Sequence, residues 1–104
     1  MHSIVQSSQA EQDLTDIWIY TAEEWNLAQA DLYLDELVAG IEGLSTHPEL
    51  GYSRDDIRAG YRSLNVSRHI VFYTVTEEQV LIVRLLHEGV DGQGHLYFMS
   101  PYFV

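Results

Sequence analysis

At 104 residues, 46% of them hydrophobic and none of them cysteine, the chain has the size and composition of one globular domain, and disulfides and thiolate zinc sites are excluded. The formal net charge is −11, there is no lysine, and all five cations are arginine: Arg54, Arg58, Arg62, Arg68 and Arg84. Such a chain repels phosphate polyanions, so neither non-specific nor direct specific nucleic-acid binding by the chain alone is expected.

Residues 2–6 read as a short strand. Ser8 and Glu11 then have the spacing of a capping box, in which hydroxyl and carboxylate each satisfy an orphan backbone N–H. A helix should follow, with Leu14, Ile17, Trp18, Thr21 and Trp25 on one face and both tryptophans in the core. Asn26 has the chemistry to cap a second helix. Its apolar stripe is Leu27, Ala30, Leu34, Leu37, Val38, Ile41 and Leu44, flanked by Tyr33. The connection between the two is so short that they form an antiparallel helical hairpin. Asp31 and Asp35 are a like-charged i,i+4 pair costing ~0.2–0.5 kcal/mol, so the stripe rather than surface charge must hold this helix.

Pro48, without an N–H, ends the hairpin. Residues 48–60 read as a loop. Residues 61–66, 70–75 and 80–86 are rich in β-branched and aromatic side chains and read as three strands of an antiparallel meander. Its turns fall at 67–69 and 76–79. Gly89, Gly92 and Gly94 then break the chain, and residues 97–104 form a short apolar tail with Tyr97, Phe98, Met99, Tyr102 and Phe103. The order β-α-α-β-β-β makes an α/β protein of the α+β kind, with the helix pair covering one sheet face. The other face is left open or covered by a partner. The tail is expected to pack on its own domain; dimerisation and a partner contact are the alternatives.

No apolar stretch reaches the ~20 residues of a membrane span, and no basic-then-apolar signal pattern opens the chain. With the absence of cysteine, this fits a reducing cytoplasm. Charge is unevenly placed. Glu11, Asp13, Asp16, Glu23, Glu24, Asp31, Asp35, Glu36 and Glu42 all precede residue 47, and no arginine does. Residues 51–87 set the five arginines against Asp55, Asp56, Glu77 and Glu78. An anionic ligand is therefore expected on the second half, unless the charge serves only solubility.

Several segments, in order, carry a resemblance. They are Ala10-x-x-Asp13-Leu14-x-x-Ile17-Trp18-x-Tyr20-Thr21-Ala22-Glu23, then Gln29-Ala30 with Tyr33-Leu34 and Leu37. Leu44-x-x-His47-Pro48-Glu49-Leu50-Gly51 and Asp56-Ile57-Arg58-x-Gly60-Tyr61-Arg62-Ser63 follow. The last are Arg68-His69-Ile70-Val71-Phe72-Tyr73 and Leu85-Leu86-His87. Together they resemble the ParE branch of the RelE/ParE toxins of bacterial type II toxin–antitoxin pairs. The resemblance implies one ParE-like domain over residues 1–96, with the tail at 97–104, and a helical hairpin packed on an antiparallel sheet. It implies a hetero-oligomer with a ParD-like antitoxin, whose disordered C-terminal segment folds on the toxin as a helix in a groove or adds a strand to the sheet edge. It also implies a cytoplasmic plasmid- or prophage-stabilising toxin that poisons the cleavage intermediate of DNA gyrase, by binding and not by catalysis. No catalytic residue, cofactor or metal is implied. The candidate contacts to antitoxin or target are Arg58, Arg62, Arg68, His69, Tyr73, Arg84 and His87.

Two features depart from the family pattern. Relatives carry a basic residue two positions after the His of the Leu-His pair and a Pro after the following Asp; here these are Gly89 and Gly92. The chain is also strongly acidic, so the antitoxin is expected to rely on apolar burial and to meet the arginines rather than the helices. An attenuated toxin, acting mainly with its antitoxin in operon autoregulation, is one alternative. A RelE-like ribosome-dependent mRNA endonuclease is the other. Metal-free RNA cleavage needs a base, an acid and cations around the phosphorane. RelE-like enzymes draw on lysine and arginine; here His69, His87, Arg62, Arg68, Arg84 and Tyr73 would have to converge.

Each candidate also has a purely structural reading. Arg68 and His69 can shape a hairpin turn, His69 bonding to backbone. Arg62 and Arg84 can neutralise Asp55 or Asp56, and Arg58 can pair locally with them. Tyr61, Tyr73 and Tyr97 read as core. His2, His47, His69, His87 and His95 are scattered without ligand spacing, so no metal site is expected.

Overall fold

The computed structural model describes residues 1–88. Gly89, Gly92 and the 97–104 tail lie outside the described residues. Strand β1 is Ser3–Gln6, helix α1 is Ser8–Glu24 and helix α2 is Leu27–Glu42, prolonged by a 3₁₀ turn at Gly43–Ser45. Strands β2 (Tyr52–Ser53), β3 (Arg62–Val66), β4 (His69–Val75) and β5 (Gln79–His87) complete one sheet, ordered β1-β5-β4-β3-β2.

Both helix starts follow from side-chain caps, but the first is displaced by one residue. Ser7, not Ser8, caps α1: its Oγ accepts the Ala10 N–H at 3.0 Å and donates to the Val83 carbonyl at 2.8 Å. A cap that also ties the helix to β5 outcompetes a purely local capping box. Asn26 caps α2 as expected, its Oδ1 accepting the Gln29 N–H at 2.8 Å.

Two features of the sheet differ from a plain antiparallel meander. Strand β1 lies beside β5 in parallel register, Ile4 opposite Val80, so the sheet is mixed. Tyr52 and Ser53 also leave the supposed loop to pair with Ser63 and Arg62. Gly51 lets the chain reach that edge. Its N–H donates to the Tyr73 hydroxyl at 2.9 Å, and a Cβ there would stand 2.5 Å from the Ser63 carbonyl oxygen.

The main core lies between the helices and one sheet face. Ala10, Leu37, Ile41 and Leu44 meet Val71, Tyr73, Val80, Ile82 and Leu85 there. An extra residue in β5 shifts the side-chain parity: Tyr73 pairs with Ile82 and Phe72 with Arg84, which leaves Val83 over. That bulge places Leu85 in the helix-side core and Val83 in the cluster on the other face. The second face is not left open for a partner. The loop after β2 folds over it, and Ile57 and Tyr61 pack with Phe72 and Val83.

Trp25 is not core. It is 74% exposed, at the cap just after the last residue of α1. Leu27, which opens the apolar stripe of α2 on the other side of the connection, is exposed as well. Trp18 is half-buried, and its Nε1–H donates to Asp31 at 2.9 Å, joining the two helices. Tyr61 and Tyr73 are buried as expected.

Candidate functional site: the groove at the hairpin tip

Strands β3 and β4 are joined by a two-residue turn at Ser67–Arg68. Val66 pairs directly with His69, and Ser67 adopts a left-handed φ of 52°. His69 is therefore the first residue of β4 rather than part of the turn. Its partner across the sheet is His87, at the end of β5, and the two rings meet edge to face with centroids 5.3 Å apart.

The Tyr33 side chain of α2 reaches over both the turn and the strand. The Arg68 N–H donates to the Tyr33 oxygen at 3.1 Å, and the same hydroxyl lies 2.7 Å from His69 Nδ1. The Tyr33 hydroxyl joins the backbone of the turn to the His69 ring. His69 is thus bonded to a tyrosine of α2 rather than to backbone. Burial, chiefly, and then the neighbouring His87 push the His69 pKa down to about 4, against a smaller upward pull from Asp13. Burial also raises the Tyr33 pKa, which keeps the phenol protonated.

This arrangement has a consequence for stability. In the unfolded chain His69 titrates near 6.5 and in the fold near 4, so between these values the unfolded state binds more protons. Stability from this group is complete above pH 6.5 and is lost as pH falls toward 4. Urea denaturation at pH 7 and pH 5 should show a loss of about 2 kcal/mol that His69→Gln, which cannot titrate, does not show. An equal loss in the variant would refute the assignment.

Around this cluster the described residues form a groove of about 850 Å³. One wall is α1, with Asp16, Ile17, Tyr20, Thr21 and Glu24; Trp25, Gln29 and Tyr33 continue it, and Arg68, His69 and His87 face it. Tyr20 and Trp25 are largely exposed, so the groove offers aromatic surface to a partner.

The seven residues singled out from sequence do not converge. Arg68, His69 and His87 meet in the groove. Arg84 lies at the edge of β5, where β1 has turned away into α1. There its Nε and Nη2 donate to Asp13 at 2.7 and 3.1 Å, and the same carboxylate accepts the Leu85 N–H at 3.0 Å. Arg62 donates through Nη2 to the Glu49 and Gly51 carbonyls, at 3.0 and 2.6 Å, and so holds the loop before β2. Tyr73 is fully buried against Gly51. Arg58 belongs to the loop over the second sheet face, its N–H on the Arg54 carbonyl. Asp56 is taken by Arg54, at 3.1 Å, not by Arg62 or Arg84.

Neither Tyr33 nor Asp13 is among the candidate contacts read from sequence, although both stand in the segments that carry the resemblance. Beyond that, Tyr33 shows only its place beside the apolar stripe of α2. Asp13 shows more: it sits among Ala10, Leu14 and Ile17 on the inward face of α1, where a carboxylate needs a partner.

The family model described as the ParE toxin of the type II toxin–antitoxin system parDE matches residues 4–92. The chain is 41% identical over 90 residues to Toxin ParE1 of Caulobacter vibrioides, covering 86% of this chain and 93% of that protein. It is 40% identical over 91 residues to Toxin ParE1 of Mycobacterium tuberculosis, with 86% and 93% covered. Identity to Toxin ParE of Escherichia coli is 30% over 92 residues, with 88% and 89% covered. A solved structure described as the chromosomal ParDE TA system from P. aeruginosa superposes with a TM-score of 0.74 at 19% identity, over 84% of this chain and 96% of that one.

Proposed function

This chain belongs to the ParE toxin family of type II toxin–antitoxin systems, and from that membership we propose that it poisons DNA gyrase by binding and is neutralised by a ParD-like antitoxin seated in the hairpin-tip groove. The observation that carries the binding reading is the make-up of that groove. Exposed Tyr20 and Trp25 flank it, as anchors for a partner's apolar side chains do. The resemblance to ParE, not the groove, supplies gyrase as the target and the cytoplasm as the place of action.

The groove is a poor site for RNA cleavage. The two histidines share it with Asp16 and Glu24, carboxylates that repel a phosphodiester. His69 is buried, with Nδ1 already engaged by Tyr33. Arg62 and Arg84, two of the cations such a reaction would need, are bonded elsewhere.

Of the five arginines, Arg68 alone lines this groove: Arg54 and Arg84 hold carboxylates, Arg62 holds backbone carbonyls and Arg58 lies on the loop over the second sheet face.

Induction of the chain alone in bacteria tests the proposal. DNA breaks and replication arrest should precede any fall in protein synthesis, and co-expressed antitoxin should restore growth. Translation arrest with intact chromosomal DNA would overturn it.

A further inference from the structure

The two walls of the groove carry opposite charge. Asp16, Tyr20 and Glu24 recur every fourth residue, so they form one row along α1, and all three are exposed. Asp16 takes a hydrogen bond from Gln12 at 2.9 Å, but neither ion pair among the described residues involves Asp16 or Glu24. Glu23 and Glu24 also close α1, whose last turn has no basic residue. Carboxylates there face the negative end of the helix dipole, an unfavourable placement that a nearby cation would relieve. Across the groove stands Arg68, exposed on its turn, with the backbone N–H fixed by Tyr33.

We propose that the partner segment filling this groove is a bipolar amphipathic helix. Its apolar stripe covers Tyr20 and Trp25, a Lys or Arg on one flank faces Asp16 and Glu24, and an Asp or Glu on the other flank faces Arg68. This deepens the antitoxin reading and rests on it. A wholly acidic segment would meet the α1 row and a chain of net charge −11. A wholly basic one would set a cation against Arg68. The repeat of the α1 row at helical pitch matches a helix laid along it.

Three labelled helical peptides with one shared Leu/Trp stripe test the inference by fluorescence anisotropy at physiological salt. One carries Lys on one flank and Glu on the other, one carries Glu on both, and one carries Lys on both. The bipolar peptide should bind about tenfold or more tighter than either of the others. Asp16→Lys combined with Glu24→Lys should transfer the preference to the all-Glu peptide, and Arg68→Glu to the all-Lys peptide. A uniformly charged peptide binding the wild type as tightly as the bipolar one, or preferences unmoved by the reversals, would overturn the inference. Co-purification with the full-length antitoxin separates this failure from that of the antitoxin reading. A complex that forms and is lost in Trp25→Ala leaves the groove as the antitoxin site even if the charge pattern is wrong. A complex indifferent to Trp25→Ala overturns both.

Discussion

Asp13→Ala is expected to lower the stability of the fold by about 3 kcal/mol, the lower end of the range for breaking a buried ion pair from one side. The carboxylate is only 9% exposed, and it receives three N–H groups, two from Arg84 and one from the Leu85 backbone. Removing it takes the carboxylate from a guanidinium that is itself mostly covered, 23% exposed, and leaves the Leu85 backbone donor without its acceptor. The low end applies because Arg84 keeps some access to water. For a domain of this size the loss corresponds to a fall in melting temperature of roughly 15 °C. Asp13→Asn, which keeps an acceptor but not the charge, should lose less. A change under ~1 kcal/mol in the alanine variant would show that the ion pair does not anchor α1 to β5.

Trp25→Ala is expected to do the reverse: leave the fold nearly intact and weaken the antitoxin complex by about 2–4 kcal/mol, roughly 30-fold to 1000-fold in Kd. At 74% exposure the indole contributes little to the core, and an exposed substitution of this kind usually changes stability by less than ~0.5 kcal/mol. Its place on the groove makes it an anchor only if a partner covers it. Titration of labelled antitoxin against the folded variant reads the effect directly. Undiminished affinity would move the antitoxin off this groove.

These two residues also show where local reading of the sequence succeeds and where it stops. Helical periodicity puts Trp25 on the same face as Ile17 and Thr21, and all three do line one groove. Periodicity assigns a face but not how far the sheet extends beneath it, so Trp25 looked like core. The strands of the meander were legible because β3, β4 and β5 are dense in β-branched and aromatic residues. Strand β2 was not: Tyr52 and Ser53 have no apolar run, and only Gly51, Tyr73 and the facing β3 draw them into the sheet. The choice of Ser7 over Ser8 as cap depends on Val83, 76 residues away. The fates of Arg62 and Arg84 likewise depend on distant carbonyls and on Asp13, which no short-range pattern encodes. Within the groove, Arg68, His69 and His87 were readable as a chemistry-bearing set. That Tyr33 joins Arg68 and His69 was not, because the contact spans 35 and 36 residues.

The most direct test of the central claim is a gyrase cleavage assay with the purified chain, relaxed plasmid and ATP, run with and without its antitoxin. Loss of supercoiling with trapped, cleaved plasmid, reversed by antitoxin, is the expected result. Undisturbed supercoiling and no cleaved plasmid at an excess of folded protein would contradict it.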